Sequence, residues 1–309
     1  MICQNDNHLT QLVNKAKTLT KNGKVADYIP ALAEANKADL SIAIYSVEGS
    51  CLKAGEVQTT FTLQSISKVL SLALVLMDHG QEYVFNRVGM EPTGDPFNSI
   101  AKLETIKPSK PLNPMINAGA LAVTNMIKGK TKVEKIERLL AFIQTLTNNS
   151  SVSVCERVAM SEFNHAWLNR SMCYFLKEHG IIEGDVEALM EVYTKQCAIE
   201  MNCYDLAKIG AVLALNGVHP DTKEQVIPER IARLCKTFMV TCGMYNASGE
   251  FAIKVGIPAK SGVAGGILAI VPNKYGIGVY GPALDERGNS IAGCKLLEMI
   301  SEEHSLSIF

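Results

Sequence analysis

Apolar positions change period along the chain, and the changes divide it into three parts. Leu9, Leu12, Val13, Ala16 and Leu19 recur at helical spacing, and Asn22-Gly23 ends that helix. Residues 40–47 are rich in β-formers. Glu48-Gly49-Ser50 makes a turn, and residues 51–57 return as the second strand of a hairpin. After the strand-like residues 59–63, strands are expected again only at 251–257, 262–271 and 275–281. The chain closes on an amphipathic helix over 290–303. Between the β regions the period is helical, over 65–79, 117–128, 132–147, 161–178, 186–196, 202–216 and 228–242. Residues 88–114, rich in Pro, Gly and Asn, read as a long ordered loop, a length that often serves function.

This order has a topological consequence. The two early and three late strands are expected to form one five-stranded antiparallel sheet, with the terminal helices on one face. The fold class is α+β. Residues 1–64 together with 243–309 form the sheet subdomain, and 65–242 form an inserted all-helical subdomain. A site is expected in the cleft between them.

Composition narrows the function classes. The 309 residues are 47% apolar and 20% charged, which suits a folded chain with an ample core. A net charge of -1 gives no bulk attraction to nucleic acid or to an acidic membrane. The densest basic stretch, 128–138, also carries Glu134 and Glu137 and reads as a solvated helix face. Residues 1–10 are polar and lack the apolar segment of a secretory signal, and apolar runs are too short to span a bilayer. A cytoplasmic location follows as the expectation. Nine cysteines without a C-x-x-C pair read as reduced thiols, mostly small apolar fillers. Six scattered histidines show no H-E-x-x-H or comparable spacing, so neither a catalytic metal nor a cofactor is expected.

The candidate chemistry begins with Ser-x-x-Lys, which occurs three times: Ser50–Lys53, Ser99–Lys102 and Ser65–Lys68. The first lies on a predicted strand, where residues three apart point to opposite faces. The second lies in the Pro/Gly-rich loop. Only Ser65–Lys68 opens a strong helix, where the two side chains share a face and the helix terminus offers free N–H groups. A neutral lysine there can take the serine proton. Downstream, Lys260-Ser261-Gly262 is placed between two predicted strands. Lys260, a second cation, would lower the Lys68 pKa if close, and the Val263 N–H can donate to an oxyanion. Ser-x-x-Lys with a late Lys-Ser-Gly is the marker pair of penicillin-recognising serine enzymes. Their usual middle triplet, S-x-N or Y-x-N, is absent from the sequence. Ordinary structural roles remain open at each position: Ser65 or Asn117 as a helix N-cap, Glu162 as a first-turn acid, Tyr193 and Tyr245 as core tyrosines.

Longer motifs point more narrowly. Ala26-Asp27-Tyr28-Ile29-Pro30, Gln64-Ser65-Ile66-Ser67-Lys68-Val69, Val88-Gly89-Met90-Glu91-Pro92 and Pro114-Met115-Ile116-Asn117-Ala118-Gly119-Ala120 occur in that order. Gly243-Met244-Tyr245-Asn246-Ala247-Ser248-Gly249 and Lys260-Ser261-Gly262-Val263-Ala264-Gly265-Gly266 follow. Together they resemble the serine-dependent glutaminases, from about residue 23 to the last helix. A local departure is Glu56, where the family pattern has Asp after Gly55. With no repeats after the last motif, the chain resembles the short bacterial form.

The resemblance implies a β-lactamase-like fold and hydrolysis of L-glutamine to L-glutamate and ammonia through a γ-glutamyl-serine. It implies Ser65 as nucleophile, Lys68 as its base, and Tyr245 as a proton shuttle, with Tyr28 a further active-site tyrosine. Asn117, Glu162, Asn169 and Tyr193 match the groups that hold the amino-acid end of the substrate. Glu162 and Asn169 rest on Ser161-Glu162 and Trp167-Leu168-Asn169, and Tyr193 on Val192-Tyr193-Thr194, which are shorter matches. Val263 matches the oxyanion donor. L-glutamine and water are the expected partners, no metal or cofactor is implied, and relatives form homodimers and homotetramers. The other readings are a β-lactam-recognising serine hydrolase and a non-catalytic small-molecule binder on the same fold.

Overall fold

Alternation along the strands decides how the layers stack. The computed structural model describes residues 6–96, 98–105 and 109–309, without the side chain of Lys102. The first five residues of the polar stretch expected over 1–10, parts of the expected 88–114 loop, and the lysine side chain of Ser99–Lys102 therefore lie outside the described residues. The strands are β1 Ser41–Ser46, β2 Cys51–Gly55, β3 Phe61–Thr62, β4 Ser153–Val154, β5 Ile199–Met201, β6 Ala259–Ser261, β7 Gly266–Val271 and β8 Tyr275–Tyr280. Five of them form an antiparallel sheet in the order β2-β1-β8-β7-β6, as expected.

The helices are α1 Asp6–Lys17, α2 Ser67–Arg87, α3 Ala101–Thr105, α4 Asn117–Asn125, α5 Lys132–Thr147 and α6 Glu156–His165. They continue as α7 Trp167–Glu178, α8 Val186–Cys197, α9 Cys203–Ala214, α10 Glu229–Cys242, α11 Ser248–Lys254 and α12 Ile291–His304. On the outer sheet face, Ile42, Ile44, Ile267, Ile277 and Val279 pack with Leu9 and Val13 of α1 and Leu296, Leu297 and Ile300 of α12. Each such burial is worth about 1.5–3 kcal/mol. The terminal helices thus cover one face, as the pattern predicts.

The inner face carries Ala43, Leu268 and Ile270, and they share one core with the inserted helices. Helix α9 lies directly on β8. A Cβ at Gly276 would sit 2.0 Å from Ala211 N, and one at Gly278 would sit 2.2 Å from Cys203 O. Only glycine permits that approach. Helix α2 is buried all round through its first turns, with Leu70, Leu72 and Leu74 in the same core, and it breaks at Gly80 (φ 77°).

Several sequence expectations are corrected. The insert is not all-helical: β4 and β5 lie within it and pair with β3 in a second, three-stranded sheet. The strand expected at 251–257 is mostly helix α11, because Phe251 and Val255 are four apart and face the outer core together. The sixth strand is Ala259–Ser261 instead, so Lys260 and Ser261 lie on a strand rather than between two. The helix expected over 161–178 is two helices, broken at Ala166 (φ -83°, ψ 42°). The expected loop 88–114 includes the short helix α3. At the family departure, Glu56 pairs with Lys17 and accepts the Leu40 N–H at 3.0 Å. The eight cysteines among the described residues are free, and Cys173, Cys197, Cys203 and Cys235 are buried.

Candidate active site

Two strained turns carry the expected nucleophile and its tyrosine. Ser65 lies in a 3-10 turn, Gln64–Ile66, that runs into α2, so the helix proper begins two residues later than the sequence suggests. Ser65 and Lys68 stand three residues apart across the junction of that turn and α2, and both are buried. Gln64 has φ 48° and Tyr245, opening a second 3-10 turn at Tyr245–Ala247, has φ 55°. Such backbone is held only where the surroundings over-determine it, and it clusters at functional sites. The two turns meet through side chains: the Ser65 hydroxyl draws the Tyr245 pKa down against the effect of burial. Gly262 lets the chain after β6 press against the serine turn, since a Cβ there would sit 2.4 Å from Leu63 O.

Behind the serine lie two buried lysines. Lys68 donates to Asn117 Oδ1 at 2.7 Å and to Met115 O at 3.1 Å, and Asn117 Nδ2 donates onward to Asn169 Oδ1 at 3.1 Å. Lys260 donates to Gly243 O at 3.0 Å and Ser261 O at 2.7 Å, and its ammonium lies 4.4 Å from the Tyr245 ring centroid. Burial holds the Lys68 pKa down at about 8, while Cys197 and Glu162 pull it upward. Burial and then repulsion from Lys68 hold Lys260 well below its ordinary value. The expected electrostatic coupling between the lysines is present. Its effect falls on Lys260, and burial is what lowers Lys68.

A cavity of about 280 Å³ opens beside these groups, below the size of drug-sized sites. Ser65, Asn117, Asn169 and Val263 line it, and so do Tyr28, Glu162 and Tyr193. Seven of the eight residues expected to bind substrate thus line one cavity; the eighth, Tyr245, does not line it and lies with Lys68 and Lys260 behind it. Burial pushes the Glu162 carboxyl up to about 8, against the pull of Lys68 and a hydrogen bond from Gln64. Its Oε2 is buried and has no hydrogen-bond partner among the described residues. A buried carboxylate oxygen left open asks for a cation. Tyr28 keeps its ring exposed, yet desolvation and then the charges of Tyr245 and Glu162 raise its pKa well above the ordinary value. Burial likewise raises Tyr193 and Tyr245, so both hydroxyls keep their protons at neutral pH. The Val263 N–H donates to no protein group among the described residues.

The family model for glutaminases matches residues 23–309. The chain belongs to the glutaminase family. It is 66% identical to glutaminase 2 of Bacillus subtilis (strain 168) and 64% identical to a glutaminase of Shouchella clausii, each over the whole of both chains. A probable glutaminase from Bacillus subtilis, solved with 6-diazo-5-oxo-L-norleucine, superposes with a TM-score of 0.91 at 43% identity. The match covers 100% of this chain and 97% of that one. A Bacillus subtilis glutaminase in covalent complex with 5-oxo-L-norleucine superposes with a TM-score of 0.88, also at 43% identity, over 97% of this chain and 98% of that one. This chain and its glutaminase neighbours have the same fold, the β-lactamase-like fold expected, here with a five-stranded antiparallel sheet.

Set on this glutaminase fold, the cavity also contains residues that motif reading missed. Gln64 is buried and strained, donates to Thr62 Oγ1 at 3.3 Å, and lowers the Glu162 pKa against burial. Its position beside the serine was the only signal. Cys197 lines the cavity beside Tyr193; burial raises its thiol well above the ordinary value, which disfavours the reactive thiolate. His165 lies at the α6–α7 break and also lines the cavity. It went unseen because the break itself did.

Proposed function

We propose that the chain hydrolyses the side-chain amide of L-glutamine to L-glutamate and ammonia in the cavity around Ser65. The observation that carries the reading is the pairing of chemistries in one small cavity. A serine hydroxyl that influences the Tyr245 hydroxyl faces the same space as a buried carboxylate oxygen without a hydrogen-bond partner among the described residues.

Each step follows from the residues. Glu162 binds the substrate ammonium, and Asn117, Asn169, Tyr193 and Tyr28 hydrogen-bond its amino-acid end. Lys68, with a pKa near 8, is partly neutral at neutral pH and takes the Ser65 proton. Ser65 Oγ attacks the amide carbon, and the Ser65 and Val263 N–H groups hold the oxyanion. Tyr245 retains its proton and passes it toward the leaving nitrogen, recovering it from Lys68. Ammonia leaves a γ-glutamyl ester on Ser65. Water then adds by the same groups in reverse, giving L-glutamate and free serine. Lys260 acts by placing Tyr245, since its ammonium sits against that ring.

The site lies in the cleft between the sheet subdomain (1–64 with 243–309) and the insert (65–242). A cytoplasmic homodimer or homotetramer is our reading of the wider setting. No described helix is long and apolar enough to cross a membrane, in keeping with it. The test is an ammonia-release assay with glutamine, asparagine and γ-glutamyl analogues. Release from glutamine, abolished in Ser65→Ala, is expected. Undiminished release from Ser65→Ala would remove Ser65 as nucleophile.

A further inference from the structure

Folding brings two histidines together from opposite ends of the chain. His8 lies in the first turns of α1 and His304 is the last residue of α12. These helices pack side by side on the outer sheet face. Glu303 stands between the rings: its Oε1 is 3.1 Å from His8 Nε2 and 3.8 Å from His304 Nε2. The ring centroids are 6.3 Å apart, edge to face. One donor atom from each residue lies within 4.8 Å of the other two.

We propose that His8, Glu303 and His304 form a Zn2+ site that clamps the N-terminal helix to the C-terminal helix. Two imidazole nitrogens and one carboxylate oxygen suit Zn2+ and its borderline neighbours, and do not suit Mg2+ or Ca2+. Donors of a tetrahedral zinc centre sit about 3.3 Å apart, as metal–ligand bonds of about 2.0–2.2 Å require. The distances around Glu303 bracket that spacing, so small side-chain rotations complete the geometry. The three side chains remain 27%, 41% and 20% exposed. That exposure leaves room for water as a fourth ligand and lets the ion reach the site from solvent.

No sequence motif announces this arrangement. Glu303 and His304 are adjacent rather than one turn apart, and the third donor comes from the far end of the chain. The location defines what the ion would do. The terminal helices close the outer core, on the opposite sheet face from the core that contains Leu63 and Ile66 beside the serine. A metal bound there stabilises the folded state by mass action and holds α1 against fraying, without entering the reaction.

The experiment uses the full chain without a histidine tag, stripped with a chelator and titrated with Co2+ and Zn2+. One equivalent of Co2+ is expected to give the visible spectrum of a nitrogen/oxygen site, with no thiolate charge-transfer band. Saturating Zn2+ is expected to raise Tm by about 3–5 °C for a chain of this size. His8→Ala and His304→Ala are each expected to weaken binding about 10-fold or more, as loss of a ligand must exceed loss of a supporting contact. Ammonia release by both variants should be unchanged. His179→Ala, an exposed histidine on the C-terminal side of α7, should leave binding intact. Equal Zn2+ binding by the wild type and the His8→Ala/His304→Ala variant would overturn the proposal, as would a thiolate band at the first equivalent.

Discussion

Lys68 Nζ donates a 2.7 Å hydrogen bond to Asn117 Oδ1, and that bond helps fix the direction of the lysine's remaining valence. Asn117 in turn holds Asn169, so one amide ties the proposed base to the substrate-binding side of the cavity. Asn117→Ala is expected to lower kcat about 100-fold, the loss typical of a misplaced reacting group. KM should rise as well, because Asn169 loses its partner. Steady-state and single-turnover kinetics separate the two. A change in KM alone would detach Asn117 from the base.

Removing members of the reacting unit should be costly and non-additive. Ser65→Ala is expected to reduce kcat at least about 10⁴-fold, and Lys68→Met comparably, with the double variant little worse than either. Tyr245→Phe keeps the ring over Lys260 and loses only the hydroxyl, so a loss of about 10²-fold is expected. Ammonia release at saturating glutamine measures all four.

The pH profile of kcat/KM should ascend through about 8. Lys68 must be neutral to act as base, and its folded-state pKa is about 8. Glu162 must be charged to bind the substrate ammonium, and its pKa is also about 8. Both groups lose a proton as pH rises, and both losses are required, so activity rises with pH. Below the limb, log kcat/KM should climb with a slope approaching about 2, and about 1 in Glu162→Gln. A profile flat between pH 6 and 9 would contradict the assignment.

Close packing of α9 on β8 sets a stability prediction. A Cβ at Gly276 meets the backbone of Ala211 and Ala207 at 2.0 and 2.1 Å. Gly276→Ala should cost about 3 kcal/mol or prevent folding, since neither backbone can yield. Gly249, in α11, has nothing within 4 Å of its virtual Cβ. Gly249→Ala should be neutral or stabilise by up to about 1 kcal/mol. Denaturant unfolding of the two variants makes the comparison.

The sheet was legible because its strands alternate: Ile42 and Ile44, or Ile277 and Val279, bury one face together. Helices α5 and α8 were legible from period, with α5 starting and ending at the expected residues. Long-range facts were not. Nothing local says that Gly276 and Gly278 make room for a helix from the insert. Strand β5 is three residues long and gains its identity only from pairing with β3 and β4. Phe251 and Val255 looked strand-like by composition, yet burial at a spacing of four made them helical. At the site, motifs located Ser65, Lys68 and Tyr245 by number. The strained backbone at Gln64 and the open oxygen of Glu162 belong to the assembled cavity.

The central claim is that Ser65 forms the covalent bond with substrate, and Cys197 in the same cavity is the chemically obvious competitor. Labelling with 6-diazo-5-oxo-L-norleucine followed by peptide mapping decides between them. One adduct is expected, on the peptide containing Ser65, absent from Ser65→Ala and retained in Cys197→Ala. An adduct on Cys197, or one that survives Ser65→Ala, would contradict the claim.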